Sequence, residues 1–99
     1  MEKRLERRTK RRLMVRLHLG AEHWLGFSTD VSGHGMSLVV NNWPKARRVK
    51  VRLDIAGRDL EMDGECRWAR RRLGQQREQL LVGLRLLNPP AHFVAAVGV

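Results

Sequence analysis

Tyrosine is missing from this chain, and two phenylalanines and three tryptophans bring the aromatics to only 5% of its 99 residues. Proteins that stack successive bases of single-stranded nucleic acid need exposed aromatics, so this composition argues against that mode of binding. Cysteine is nearly missing too. Cys66 stands alone, which forbids an internal disulfide, fits a reducing compartment and leaves too few thiols for a zinc site. The four histidines, His18, His23, His34 and His92, lack metal-ligand spacing. No run approaches the roughly 20 apolar residues needed to cross a bilayer, and the basic N-terminus is not followed by the apolar stretch of a signal peptide. These absences predict a soluble, cytoplasmic chain with no membrane insertion.

Acidic residues are also in short supply. Ten Asp and Glu face 20 Lys and Arg, for a net charge of +10, which predicts an anionic partner. The excess is unevenly placed. Residues 1–12 hold seven basic and two acidic side chains, half of the total imbalance. That segment is polar and without period, and reads as a flexible arm that orders when an anion relieves its self-repulsion. The rest, residues 13–99, is large enough for one small core.

Period-2 alternation dominates the remainder. Leu13, Val15, Leu17 and Leu19 alternate with Met14, Arg16 and His18, and Val49, Val51, Leu53 and Ile55 alternate with Lys50, Arg52 and Asp54; both are strands with one wet face. Strands are also expected at Trp24–Ser28, at Met36–Val40, from Leu60 onward and at Gln79–Leu87, the last apolar enough to be covered on both faces. Along the fifth strand Leu60, Met62, Gly64, Cys66 and Trp68 share one side. Trp68 therefore reads as core, and Gly64 as a bulge or sharp bend. Residues 70–78 read as a hairpin loop or ragged extension. Asn88-Pro89 suits a helix start, with a short helix over Ala91–Val97. Six strands, short turns and one terminal helix predict an all-β protein, a six-stranded antiparallel barrel with the short C-terminal helix closing one mouth.

Between the second and third strands lies Asp30-Val31-Ser32-Gly33-His34-Gly35. Asp30 and Ser32 favour a turn by bonding backbone two residues on, and Gly33 and Gly35 permit positive φ and close approach of another group. The turn gathers a carboxylate, a hydroxyl and N–H groups in one volume. Upstream, Arg8 and Arg12 stand four apart directly before the first strand.

Arg8-x-x-x-Arg12 followed by Asp30-x-Ser32-x-x-Gly35, in this order on this strand pattern, resembles the PilZ domain family, whose best-known activity is binding the bacterial second messenger cyclic di-GMP. The resemblance implies a non-enzymatic receptor in which Arg8 and Arg12 grip phosphate and guanine, Asp30 accepts from guanine N–H groups, Ser32 supplies a hydroxyl, and Gly33 and Gly35 complete the ligand-binding turn, Gly35 letting base or phosphate lie against the backbone. Arginine suits both ends of such a ligand, because its planar fork matches phosphate oxygens and the guanine O6/N7 edge and its face stacks on a base. Arg7, a basic residue just before the first motif arginine, implies a stacked pair of dinucleotides. Arg7 and Arg11 share the spacing of Arg8 and Arg12; the latter pair is preferred because Arg12 abuts the strand.

No catalytic set emerges. Ser32 has no evident base, no carboxylate pair sits in an apolar setting and no Walker pattern follows the glycines. The chain is read as a non-enzyme without a cofactor that relays its signal to an unknown protein partner. Two alternatives are a basic barrel that binds nucleic acid and a PilZ-like adapter that binds protein alone.

Overall fold

The computed structural model describes residues 10–43, 46–73 and 78–97. Its elements are β1 (Met14–Leu19), β2 (Glu22–Ser32), β3 (Gly35–Val40), β4 (Arg48–Ile55), β5 (Arg58–Leu73), β6 (Glu78–Leu87) and α1 (Ala91–Val97). The strands close into an antiparallel barrel in the order β1-β2-β3-β6-β5-β4, with β4 returning to β1. Closure leaves no edge strand exposed. Arg7 and Arg8 lie outside the described residues.

The alternation read from the sequence builds this core. Val15 and Leu17 on β1, Met36, Leu38 and Val40 on β3, and Val49, Val51, Leu53 and Ile55 on β4 all point inward and are buried. Each such side chain stabilises the fold by about 1.5–3 kcal/mol. Gly26 and Gly64 keep the interior narrow: a Cβ at Gly26 would lie 2.8 Å from Val40 Cγ1, and one at Gly64 2.9 Å from Val51 Cγ2. Gly64 is therefore a packing position and not the bulge expected of it; its pairing is in register with both β4 and β6.

The turns follow from backbone geometry. Ala56 (φ 52°) and Gly57 (φ 77°) join β4 to β5, and positive φ at both central residues matches the twist of a two-residue hairpin. Asn88 (φ 49°) ends β6 and so does not cap α1; Phe93 and Val94 donate instead to the carbonyl of Pro90. Phe93 and Val97 enter the core. The helix thus covers one barrel mouth, tied to the β4–β5 turn by Arg58–His92 (3.1 Å) and to the chain ahead of β1 by Arg11–Ala96 O (3.4 Å).

Residues 70–73 continue β5 and do not form a loop. Trp43 packs against the core, where its Nε1–H donates to Ala46 O at 3.3 Å, and its ring meets Trp24 edge to face.

Candidate functional site

Side chains of one sheet face lie in rows across neighbouring strands, so pairing registers show what shares the outer wall of β2, β3, β6 and β5. Three rows emerge. Ser32, Gly35, Arg85 and Glu65 form the first, Asp30, Ser37, Gly83 and Trp68 the second, and Phe27, Val39, Leu81 and Arg70 the third. The strands span about 14 Å at the usual spacing of ~4.8 Å.

Two bulges create this arrangement. One, at Thr29, falls between the pairs Ser28↔Leu38 and Asp30↔Ser37. Without it Asp30 would point into the core, where a lone carboxylate is costly. The other, at Arg67, falls between Cys66↔Leu84 and Trp68↔Gly83. It shifts the alternation by one, so Trp68 leaves the core side to which the sequence pattern assigns it and stands on the outer wall, 37% exposed. Its indole lies across Gly83, where a Cβ would come within 2.3 Å of the ring. The Arg70 guanidinium stacks over it at 4.6 Å from the centroid.

The turn is closed from within. Ser32, buried, donates through Oγ to Gly35 O at 3.3 Å, and Gly33 and Gly35 are buried as well. Among the described residues positive φ falls at Gly20, Ala56, Gly57 and Asn88, so neither of these glycines takes the left-handed bend that the sequence allows it. His34 is exposed at the tip.

Arg12 comes to the third row from the arm. Its guanidinium lies over the Phe27 ring at 4.7 Å, in a groove of about 780 Å³ whose walls include Lys10, Arg11, Leu25 and Thr29. Arg11 is engaged elsewhere, with the Ala96 carbonyl in the last turn of α1. The structure therefore brings Arg12 to the same wall as Asp30, Ser32 and Gly35.

Charge pairing is unevenly spread around the barrel. On β1, β4 and β5, Lys50 pairs with Asp63 (2.7 Å), Arg52 with Asp59 (2.5 Å) and Arg16 with Asp59 (3.1 Å). The Arg52 hydrogen bond holds the Asp59 carboxyl below its ordinary range. Glu65 is likewise held low by Arg67 and is bridged by Arg67 (3.2 Å) and Arg47 (3.5 Å). Arg12, Arg70 and Arg85, by contrast, have no carboxylate partner among the described residues. Three unneutralised guanidinium groups thus surround an exposed indole and a carboxylate, a surface able to receive an anion that carries planar hydrogen-bonding rings.

The model of the PilZ domain matches residues 2–97. The chain belongs to the PilZ family. Three solved structures share the PilZ fold with it. The inhibitor of motility MotI/DgrA of Bacillus subtilis aligns with a TM-score of 0.75 at 17% identity, over 99% of this chain and 49% of that one. PlzA of Borreliella burgdorferi, solved in complex with c-di-GMP, gives 0.73 at 15% identity over 88% and 42%. The PilZ domain of YcgR from Escherichia coli, with c-di-GMP, gives 0.70 at 12% identity over 97% and 86%. The chain spans less than half the length of the first two. No curated protein matches it. Among the described residues no helix is long and apolar enough to cross a membrane, and no group of three metal-binding side chains forms.

The sequence pattern does not place Trp68, Arg70 or Arg85 on this wall: Trp68 reads as core, and Arg70 as part of a loop or ragged extension. Trp68 is hidden from it by the extra residue at Arg67, which no turn residue marks. Arg85 could have been found by counting inward from the apolar Leu84 and Leu86, which leaves it facing out.

Proposed function

We propose that this chain is a non-enzymatic receptor for cyclic di-GMP, with the basic arm 1–12 and the outer wall of the barrel 13–99 forming the site together. The observation that carries the reading is the set of guanidinium groups of Arg12, Arg70 and Arg85, without a carboxylate ion-pair partner among the described residues, on the wall that holds Asp30 and Trp68, in a family whose solved relatives hold this ligand. Arg12, and Arg8 beyond it, take phosphate oxygens and the guanine O6/N7 edge. Asp30, an acceptor-only side chain, takes guanine N1–H and N2–H₂. Ser32 closes the turn at the end of the strand that carries Asp30, and a base takes the place of the Arg70 guanidinium over the Trp68 indole, with Arg70 moved to its edge. The engagement of Arg11 with α1 favours Arg8 and Arg12 as the functional pair. Arg7 would serve a second, stacked dinucleotide. Ordering of the arm then changes the surface around Met14 and Leu25, exposed beside it, and a protein partner reads that change.

Calorimetric titration tests this. The wild-type chain binds cyclic di-GMP at micromolar concentration or tighter, and the stoichiometry distinguishes one molecule from a stacked pair. Arg12→Ala and Asp30→Ala each weaken binding at least about tenfold, as expected for lost hydrogen bonds to charged groups. Equal affinity in both variants would remove the site from this wall. A nucleic-acid-binding barrel would instead bind oligonucleotides, with a steep loss of affinity as salt rises.

A further inference from the structure

Ser28 lies two residues ahead of Asp30, outside both motifs, and points into the barrel mouth, 2% exposed. Its hydroxyl has two backbone partners. It donates to Arg11 O and accepts from Leu13 N at 2.8 Å. Those two groups bracket Arg12. The Ser28 main chain adds a third bond, from its N–H to Leu13 O at 2.9 Å. One inward residue of β2 therefore grips the backbone on both sides of Arg12, and its outward neighbour Phe27 lies under the Arg12 guanidinium.

We propose that Ser28 is a positioning residue of the nucleotide site, which fixes the root of the arm so that Arg12 is held over the wall before the ligand arrives. The inference rests on the cyclic di-GMP reading. Alanine at 28 would leave the half-buried Arg11 carbonyl and Leu13 amide without their shared partner. The arm would then be free to leave the wall, and binding would carry the cost of bringing it back. The strand pairing of β2 with β3 does not need the hydroxyl, because it runs through main-chain groups. Threonine keeps the hydroxyl and should keep the clamp.

The test joins titration to amide hydrogen exchange on the full chain. In Ser28→Ala, exchange at the Leu13 amide accelerates and cyclic di-GMP binds about tenfold more weakly, the loss expected for two neutral hydrogen bonds; exchange at Leu38 and Val82 in the core stays slow. Ser28→Thr restores both readouts. If Ser28→Ala frees the Leu13 amide while affinity equals that of the wild type, the positioning role is overturned. If affinity falls only together with core protection at Leu38 and Val82, Ser28 is structural and the proposal fails. If the wild-type chain itself does not bind, the cyclic di-GMP reading is what falls, and this inference with it.

Discussion

At the scale of single residues, recognition depends on which side of a strand a side chain occupies. Trp68 is the clearest case. Stacking of a base on an aromatic ring is worth about 1–3 kcal/mol, so Trp68→Ala should weaken cyclic di-GMP by about five- to a hundredfold in titration, and ligand binding should change the emission of this exposed indole. Gly83 gives an independent handle. A Cβ there meets the ring at 2.3 Å, so Gly83→Val should displace the indole and reproduce much of the affinity loss with Trp68 itself intact; wild-type affinity in that variant would show that the ring plays no part. The turn's place between β2 and β3 was legible from its Ser and Gly residues, but its geometry was not: Asp30 lies in β2, and neither Gly33 nor Gly35 takes the positive φ that glycine permits. Trp68 was not, because its side depends on an unpaired residue with an ordinary side chain.

At the scale of elements, the six strands and the helix could be read from alternation and from the Pro-Pro stop, with boundaries that grew on folding. β2 runs Glu22–Ser32 and β5 reaches Leu73; both extensions are polar stretches that pairing with a neighbour recruits into the ladder, which is tertiary context that a local pattern does not contain. Gly64 misled in the other direction: a glycine in a strand marks either a bulge or a close approach, and here the barrel interior needs the second. α1 is short but anchored by Phe93, wholly buried. Phe93→Ala should lower stability by about 3–5 kcal/mol in chemical denaturation, as large-to-small changes in cores do. A loss well below that would mean the helix contributes little to closing the barrel.

At the scale of the whole molecule, carboxylate partners are unevenly spread: Arg16, Lys50 and Arg52 on β1 and β4 have them, and among the described residues Arg12, Arg70 and Arg85 do not. Asp59 and Glu65 have depressed carboxyl pKa values through Arg52 and Arg67. A group whose folded pKa is depressed adds stability that is complete above its unfolded value and fades as pH falls through the folded one. Thermal midpoints should therefore hold steady from pH 7 to about 5 and decline below about 4, and Asp59→Asn should flatten that decline. The sum of charge, +10, could be counted from composition; its pairing could not, because it depends on which strands become neighbours.

The unpaired residue at Arg67 has one more consequence. Side-chain parity along β5 is set by a count, so removing that single residue would let Trp68 follow Cys66 in a regular ladder, with Trp68 and Arg70 still on the outer wall opposite Gly83 and Leu81. One further residue inserted there, with the bulge kept, would instead set Trp68 opposite the inward-facing Val82 and turn it and Arg70 off the wall, so this point tolerates a loss of length and not a gain.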